Sequence, residues 1–280
     1  MPLHFQSITN DDQNPSLLAA LLSDFTENYD SVFVSRDKYI HIQKHLNNTL
    51  TGQEFGKAVY TAKIDDEKGS IVLLDLDIML KGKGRSALCL NERLSGSSDA
   101  NEYYEAEISG DDGHLKLETV NRHTIEGALI NRAQDVSACA FPFELNVFAD
   151  IDALNHYLGF SKDAELGDSG IKVGGLSERF IMPGGIFDGE ADDDHYSFLV
   201  GTVRSFSDVR WELEAGRLDF IIANIDTALG EIPVAMSREV FDLSELAVGA
   251  VICMRAYIKA DVSKPEAFTA TAQRAHEERP

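Results

Sequence analysis

Cysteine is too scarce in this sequence to staple it. Cys89, Cys139 and Cys253 are the only three, widely spaced and without a CxxC pair, so neither a disulfide framework nor a thiolate zinc site is expected. Cys139 in SACAFPF and Cys253 in an apolar strand pattern suit small buried hydrophobes. Long hydrophobic runs are missing as well; the longest wholly apolar run is a handful of residues, well short of a membrane span. No lysine or arginine precedes Arg36, so the basic region of a secretory signal is absent from the start of the sequence. A cytoplasmic location without a membrane partner is the expectation.

Positive charge is also in short supply. Against 47 acidic side chains stand 25 lysines and arginines, a formal charge of −22. Such a field repels phosphate backbones and attracts cationic partners. It makes nucleic acid an unfavourable partner and points to a protein partner with a basic surface.

Catalytic signatures are the third absence. The sequence holds no GxSxG elbow, no HExxH, no P-loop and no kinase set. The densest basic stretch, KGKGR at 81–85, lacks both the Walker and the dinucleotide glycine spacing and reads as a strand exit. His41 and His45 are four apart, but Ile42, Gln43 and Lys44 between them break the zincin pattern, so they read as surface histidines. Asp188, Glu190, Asp192, Asp193 and Asp194 invite a calcium reading. An EF-hand loop begun at Asp188 would place Asp193 where glycine is required and Leu199 where glutamate is required. That segment reads as an acidic loop, and His195 after it as a loop histidine. No catalytic residue, cofactor or metal is expected.

What is present is strand pattern. The 280 residues are 44% hydrophobic and 26% charged, ordinary values for a folded chain. The expected fold is α+β and β-rich, in two units. Residues 1–160 form an N-terminal α+β domain of antiparallel strands with flanking helices. There Asn14-Pro15 opens a leucine-faced helix, HTIEGALINRAQ suits another, and Asp150 to Gly159 bounds a third. KAVYTAKI and SIVLLDLDIML suit a hairpin around DDEKG. Strict alternation in the second of these puts Asp75 and Asp77 on one side, about 7 Å apart. Two carboxylates so placed can hold a divalent cation; they equally suit the wetted middle of a half-buried strand, the reading preferred here.

Residues 161–175, polar and glycine-rich, form the expected linker. Residues 176–262 are expected to form a small antiparallel β-barrel of OB type, with 263–280 as a tail. Four of its strands are evident. The fifth must come from Val209–Leu213, from Lys172–Phe180 or from a split of the last strand, and REVFDLSEL suits a short helix between strands. Arg204, Arg210 and Trp211 are the candidate ligand-binding residues, a cation-flanked ring on a barrel face; for Trp211 itself a packed position at the barrel edge is the preferred reading. Three function classes follow. The preferred one is a non-enzymatic acidic binding or adaptor protein that contacts a basic protein. The others are an OB-type single-stranded nucleic-acid binder, and a divalent-metal-dependent enzyme using Asp75 and Asp77.

Overall fold

Alternating apolar and polar residues, cut by glycine and polar turns, drive this chain into strands. The computed structural model describes residues 7–9, 29–34, 39–65, 70–94, 102–109, 113–120, 130–131, 133–160, 174–184, 195–213 and 216–262. Of these, 68% are in strands, with one short helix.

The first four strands, β1 (Ser31–Val34), β2 (Tyr39–Asn47), β3 (Glu54–Asp65) and β4 (Ser70–Leu80), form an antiparallel sheet in chain order. The β3–β4 hairpin is the expected one. Its register shifts where Thr61 faces Asp75 but Ala62 faces Leu73. Leu74 is therefore an extra, bulged residue, and β4 residues before it change face.

The other nine strands are β5 (Ser86–Arg93), β6 (Glu102–Ile108), β7 (His114–Thr119), β8 (Ala133–Phe148), β9 (Phe180–Pro183), β10 (Ser197–Leu213), β11 (Gly216–Thr227), β12 (Gly230–Met236) and β13 (Val251–Val262). They join one mixed sheet in the order β11-β12-β8-β5-β6-β7-β13-β10-β9, and the pairings β10–β11 and β8–β13 close it on itself. Two rings result, sharing the β8–β13 pair: β8-β12-β11-β10-β13 and β8-β5-β6-β7-β13. Pairing is parallel where Val234 meets Ala140 and where Lys259 meets Glu118.

The ring is not confined to the residues expected to close one. Residues 176–262 do not close a ring alone, because the fifth strand of their ring is β8. That strand pairs with β13 from Val136–Val262 to Phe148–Val251. None of the three expected sources supplies it. Val209–Leu213 is the end of β10, β13 stays whole, and Phe180 opens β9, which pairs only with β10. Pro142 lies within β8, and the ladder absorbs it with a bulge at Phe143, between the Pro142–Ala256 and Glu144–Arg255 pairs. One sheet thus draws strands from both sides of the expected linker.

Of the helices expected in the N-terminal unit, the one bounded by Asp150 and Gly159 is present. Among the described residues the only α-helix is α1 (Ile151–Tyr157), whose N-cap Asp150 accepts a 2.8 Å bond from the Ala153 N–H and which is followed by Gly159 at φ 78°. Arg238–Leu246 forms turns rather than a helix. Ser237 and Asp242 side chains take the N–H groups of Glu239 and Ser244, the local bonding by which such residues divert a chain from helix. The expected helix after Asn14, most of HTIEGALINRAQ, residues 161–173 of the linker, the acidic loop and the 263–280 tail lie outside the described residues.

Three apolar clusters hold the sheets. Leu88, Leu117, Leu199, Ile225, Ile252 and Met254 fill the ring interior. Phe55, Ile78, Phe141, Trp211 and Phe220 belong to a second cluster that joins the two sheets. Leu154 of α1 covers Val200, Val251 and Cys253. Strand β13 shows how alternation sorts residues: Ile252, Met254, Ala256 and Ile258 share the ring face as expected, which turns Lys259 and Asp261 toward β3 and β4.

Packing explains the glycines of the basic KGKGR loop. A Cβ on Gly82 would stand 2.7 Å from the Pro233 ring, and one on Gly84 2.1 Å from the Glu231 carbonyl oxygen. The loop hugs β12 because these positions carry no side chain. Gly84→Ala is expected to cost about 1–3 kcal/mol, the usual penalty of overpacking. Urea unfolding reads it, and a variant as stable as the parent would show the loop free to move aside.

A buried acid–lysine cluster as the candidate functional site

Strand β4 is the edge of the small sheet that meets β8 and β13. Its alternation directs Asp75, Asp77 and Met79 the same way, and Met79 Sδ lies 3.7 Å from the Cys139 thiol of β8. The wetted-strand reading of the aspartates is corrected here. Asp77 is 3% exposed and Asp75 is partly buried, because the larger sheet covers the face that alternation leaves polar.

Two charged residues from distant sequence join them. The parallel β7–β13 register sets Lys259 beside Glu118, and both are buried. Lys259 Nζ donates to Asp77 Oδ1 at 2.5 Å and also to Glu118 Oε2. Oxygens of Asp75, Asp77 and Glu118 all lie within 4.8 Å of one another. Behind Asp75, the strand ladder continues through Thr61 to His41, whose Nδ1 is 3.3 Å from Thr61 Oγ1. His41 is 1% exposed, so it is not the surface histidine expected; His45, bonded to Glu54 at 2.8 Å, is exposed.

Three carboxylates and one ammonium would carry two uncompensated charges if all were ionised. Burial and, next, the neighbouring charge of Asp77 push Asp75 up to about 8, helped by a side-chain hydrogen bond between the two. Burial likewise pushes Glu118 up to about 7, against the pull of Lys259. For Lys259, burial acts downward, but Asp77, Glu118 and Asp75 together outweigh it and hold the lysine above its ordinary value. The ammonium is therefore the cation of this site and is no nucleophile at neutral pH. Buried Cys139 is pushed up to about 12, chiefly by burial, and stays a thiol.

The three residues expected to bind a ligand do not converge. Trp211 is 5% exposed and meets Phe55 edge-on, with centroids 5.9 Å apart at 70°. It occupies the packed position preferred for it. Arg210, its strand neighbour, points to the opposite face and bonds Asp219 at 2.9 Å. Arg204 bonds Asp226, which also accepts from Arg179 at 2.6 Å. Burial works against the Asp226 carboxylate, but the two guanidiniums hold it below the usual range. His195 stacks on Tyr103, 3.9 Å between centroids and 10° between planes.

Sequence reading missed Glu118 and Lys259. The signal for Lys259 was present: a single lysine in an apolar strand, IKADV, has to find a buried acid. Nothing local marks Glu118 as that acid. No family model matches this chain, and no curated protein or solved structure shows a significant match to it.

Proposed function

We propose that this chain is a non-enzymatic, acidic binding protein that contacts a partner with a basic surface. One observation carries the reading. Each of the eight described arginines lies within ion-pair distance of a carboxylate: Arg85, Arg93, Arg179, Arg204, Arg210, Arg217, Arg238 and Arg255. A phosphate backbone would have to displace those carboxylates, in a molecule of net charge −22, before counterion release favoured binding. A cationic protein faces no such competition, and its approach is accelerated by the same field. In this reading the ring β8-β12-β11-β10-β13 is an OB-like barrel that serves as a rigid scaffold.

The test uses two probes of opposite charge at low and high salt. Poly-lysine is expected to bind the purified protein and to be released as salt rises, while single-stranded DNA and RNA oligonucleotides leave it unbound. Tight oligonucleotide binding that Arg204→Ala and Arg210→Ala abolish would replace this reading with the nucleic-acid one.

A further inference from the structure

We propose that Asp75, Asp77, Glu118 and Lys259 form a proton-holding clasp that fastens the small sheet to the closed one and loosens as the proton leaves. The geometry is that of a site short of positive charge. Lys259 satisfies one oxygen each of Asp77 and Glu118. Asp75 Oδ2 and Glu118 Oε1 are buried without a hydrogen-bond partner. With both bridges to Lys259 made, Asp75 can approach Asp77 only if a proton lies between them, because two ionised carboxylates in that space repel.

Among the described residues, the neighbouring groups are otherwise engaged or neutral. On β3, Lys57 faces the cluster but is bound to Asp261 of β13. On β2, His41 is reached only through Thr61. On β8 stands Cys139, a neutral thiol, and on β6 Tyr103 neighbours Glu118 in register. The cluster also spans the seam: Asp75 and Asp77 belong to the small sheet, Glu118 and Lys259 to the closed one.

The sign of the effect follows. Asp75 is raised from 3.8 to about 8, so the closed seam binds a proton that the open seam releases. Closure is strongest at acid pH and weakens as pH rises from about 4 to about 8, beyond which both states have lost the proton. Through Asp75 alone, the opening equilibrium then grows by up to about tenfold per pH unit across that window.

Cys139 reports the seam, since it is fully buried against Met79 of β4. The experiment is site-resolved maleimide labelling of the full chain and of Asp75→Asn between pH 5 and 8, with half-buried Cys89 as internal reference. The amide keeps a donor toward Asp77 but cannot ionise. The ratio of Cys139 labelling rates, parent over variant, is expected to climb by up to about tenfold per pH unit, while the Cys89 ratio stays flat. A ratio that does not change with pH overturns the proposal. So does slowing of Cys139 labelling by added Mg²⁺ or Mn²⁺ in the parent alone, which would make the site one for a metal ion. Should Asp75→Asn fail to fold, carboxyl ¹³C resonances of the parent decide: one aspartate titrating near pH 8 supports the clasp, and full ionisation of every aspartate by pH 6 refutes it.

Discussion

Lys259→Met is expected to destabilise the fold by about 3–5 kcal/mol at pH 8, the cost of removing one partner from a buried ion pair. The lysine side chain is 4% exposed, and its two acceptors are 5% and 7% exposed, so water cannot take over its role. Methionine matches the stem in volume, which leaves the unpaired carboxylates as the cause of any loss. These can recover by taking up protons. The penalty is therefore expected to shrink at pH 5, where protonation of Asp77 and Glu118 is less costly. Restoring neutrality by chemistry should do the same at all pH: the triple variant Asp77→Asn, Glu118→Gln, Lys259→Met is expected to regain most of the loss, since buried ion pairs contribute little over neutral groups of similar shape. Urea unfolding at the two pH values reads all of this. A loss below about 1 kcal/mol at pH 8 would place the lysine among exposed, weakly coupled ion pairs and remove the basis of the cluster.

Trp211→Ala should cost a similar amount, about 3–5 kcal/mol, through a different mechanism. Its ring packs edge-on to Phe55, which in turn meets Phe220 at 5.6 Å and 81°. This aromatic group sits where β10 and β11 cover the small sheet, beside Val209 and Leu218 in the same cluster. Truncation leaves a cavity in the seam and removes the ring contact with Phe55, which stabilises beyond its buried area. Trp211→Phe, which keeps an apolar ring, is expected to lose less than half as much. If both variants unfolded like the parent yet one of them lost oligonucleotide binding, Trp211 would be a ligand platform and not a packing residue.

Strand content and several local features were legible because they depend on neighbours in sequence. The period-2 pattern of Ile252, Met254, Ala256 and Ile258 predicted their shared face, and the ring interior confirms it. Asp150 and Gly159 predicted the ends of α1 for the same local reason: a cap needs only its own turn. The spacing of Asp75 and Asp77 placed them on one side of a strand, and they are.

What alternation cannot supply is the identity of whatever covers a face. The same two aspartates read as wetted from sequence and are enclosed in the structure because β13 and β7 bring Lys259 and Glu118 over them. Lys259 lies 182 positions from Asp77 and 141 from Glu118, and their meeting depends on a parallel β7–β13 pairing that no local signal encodes. The fifth ring strand was missed for the same reason. It was sought within residues 172–262, whereas β8 reaches the ring from the other side of the chain by edge hydrogen bonds that any long apolar strand offers. By itself the sequence determined that this protein is acidic, poor in free cations and built of strands, since charge and periodicity are properties of composition and order. Only the tertiary structure decided which strands close on which and which charges are buried together, because pairing partners are chosen by burial and register across the whole chain.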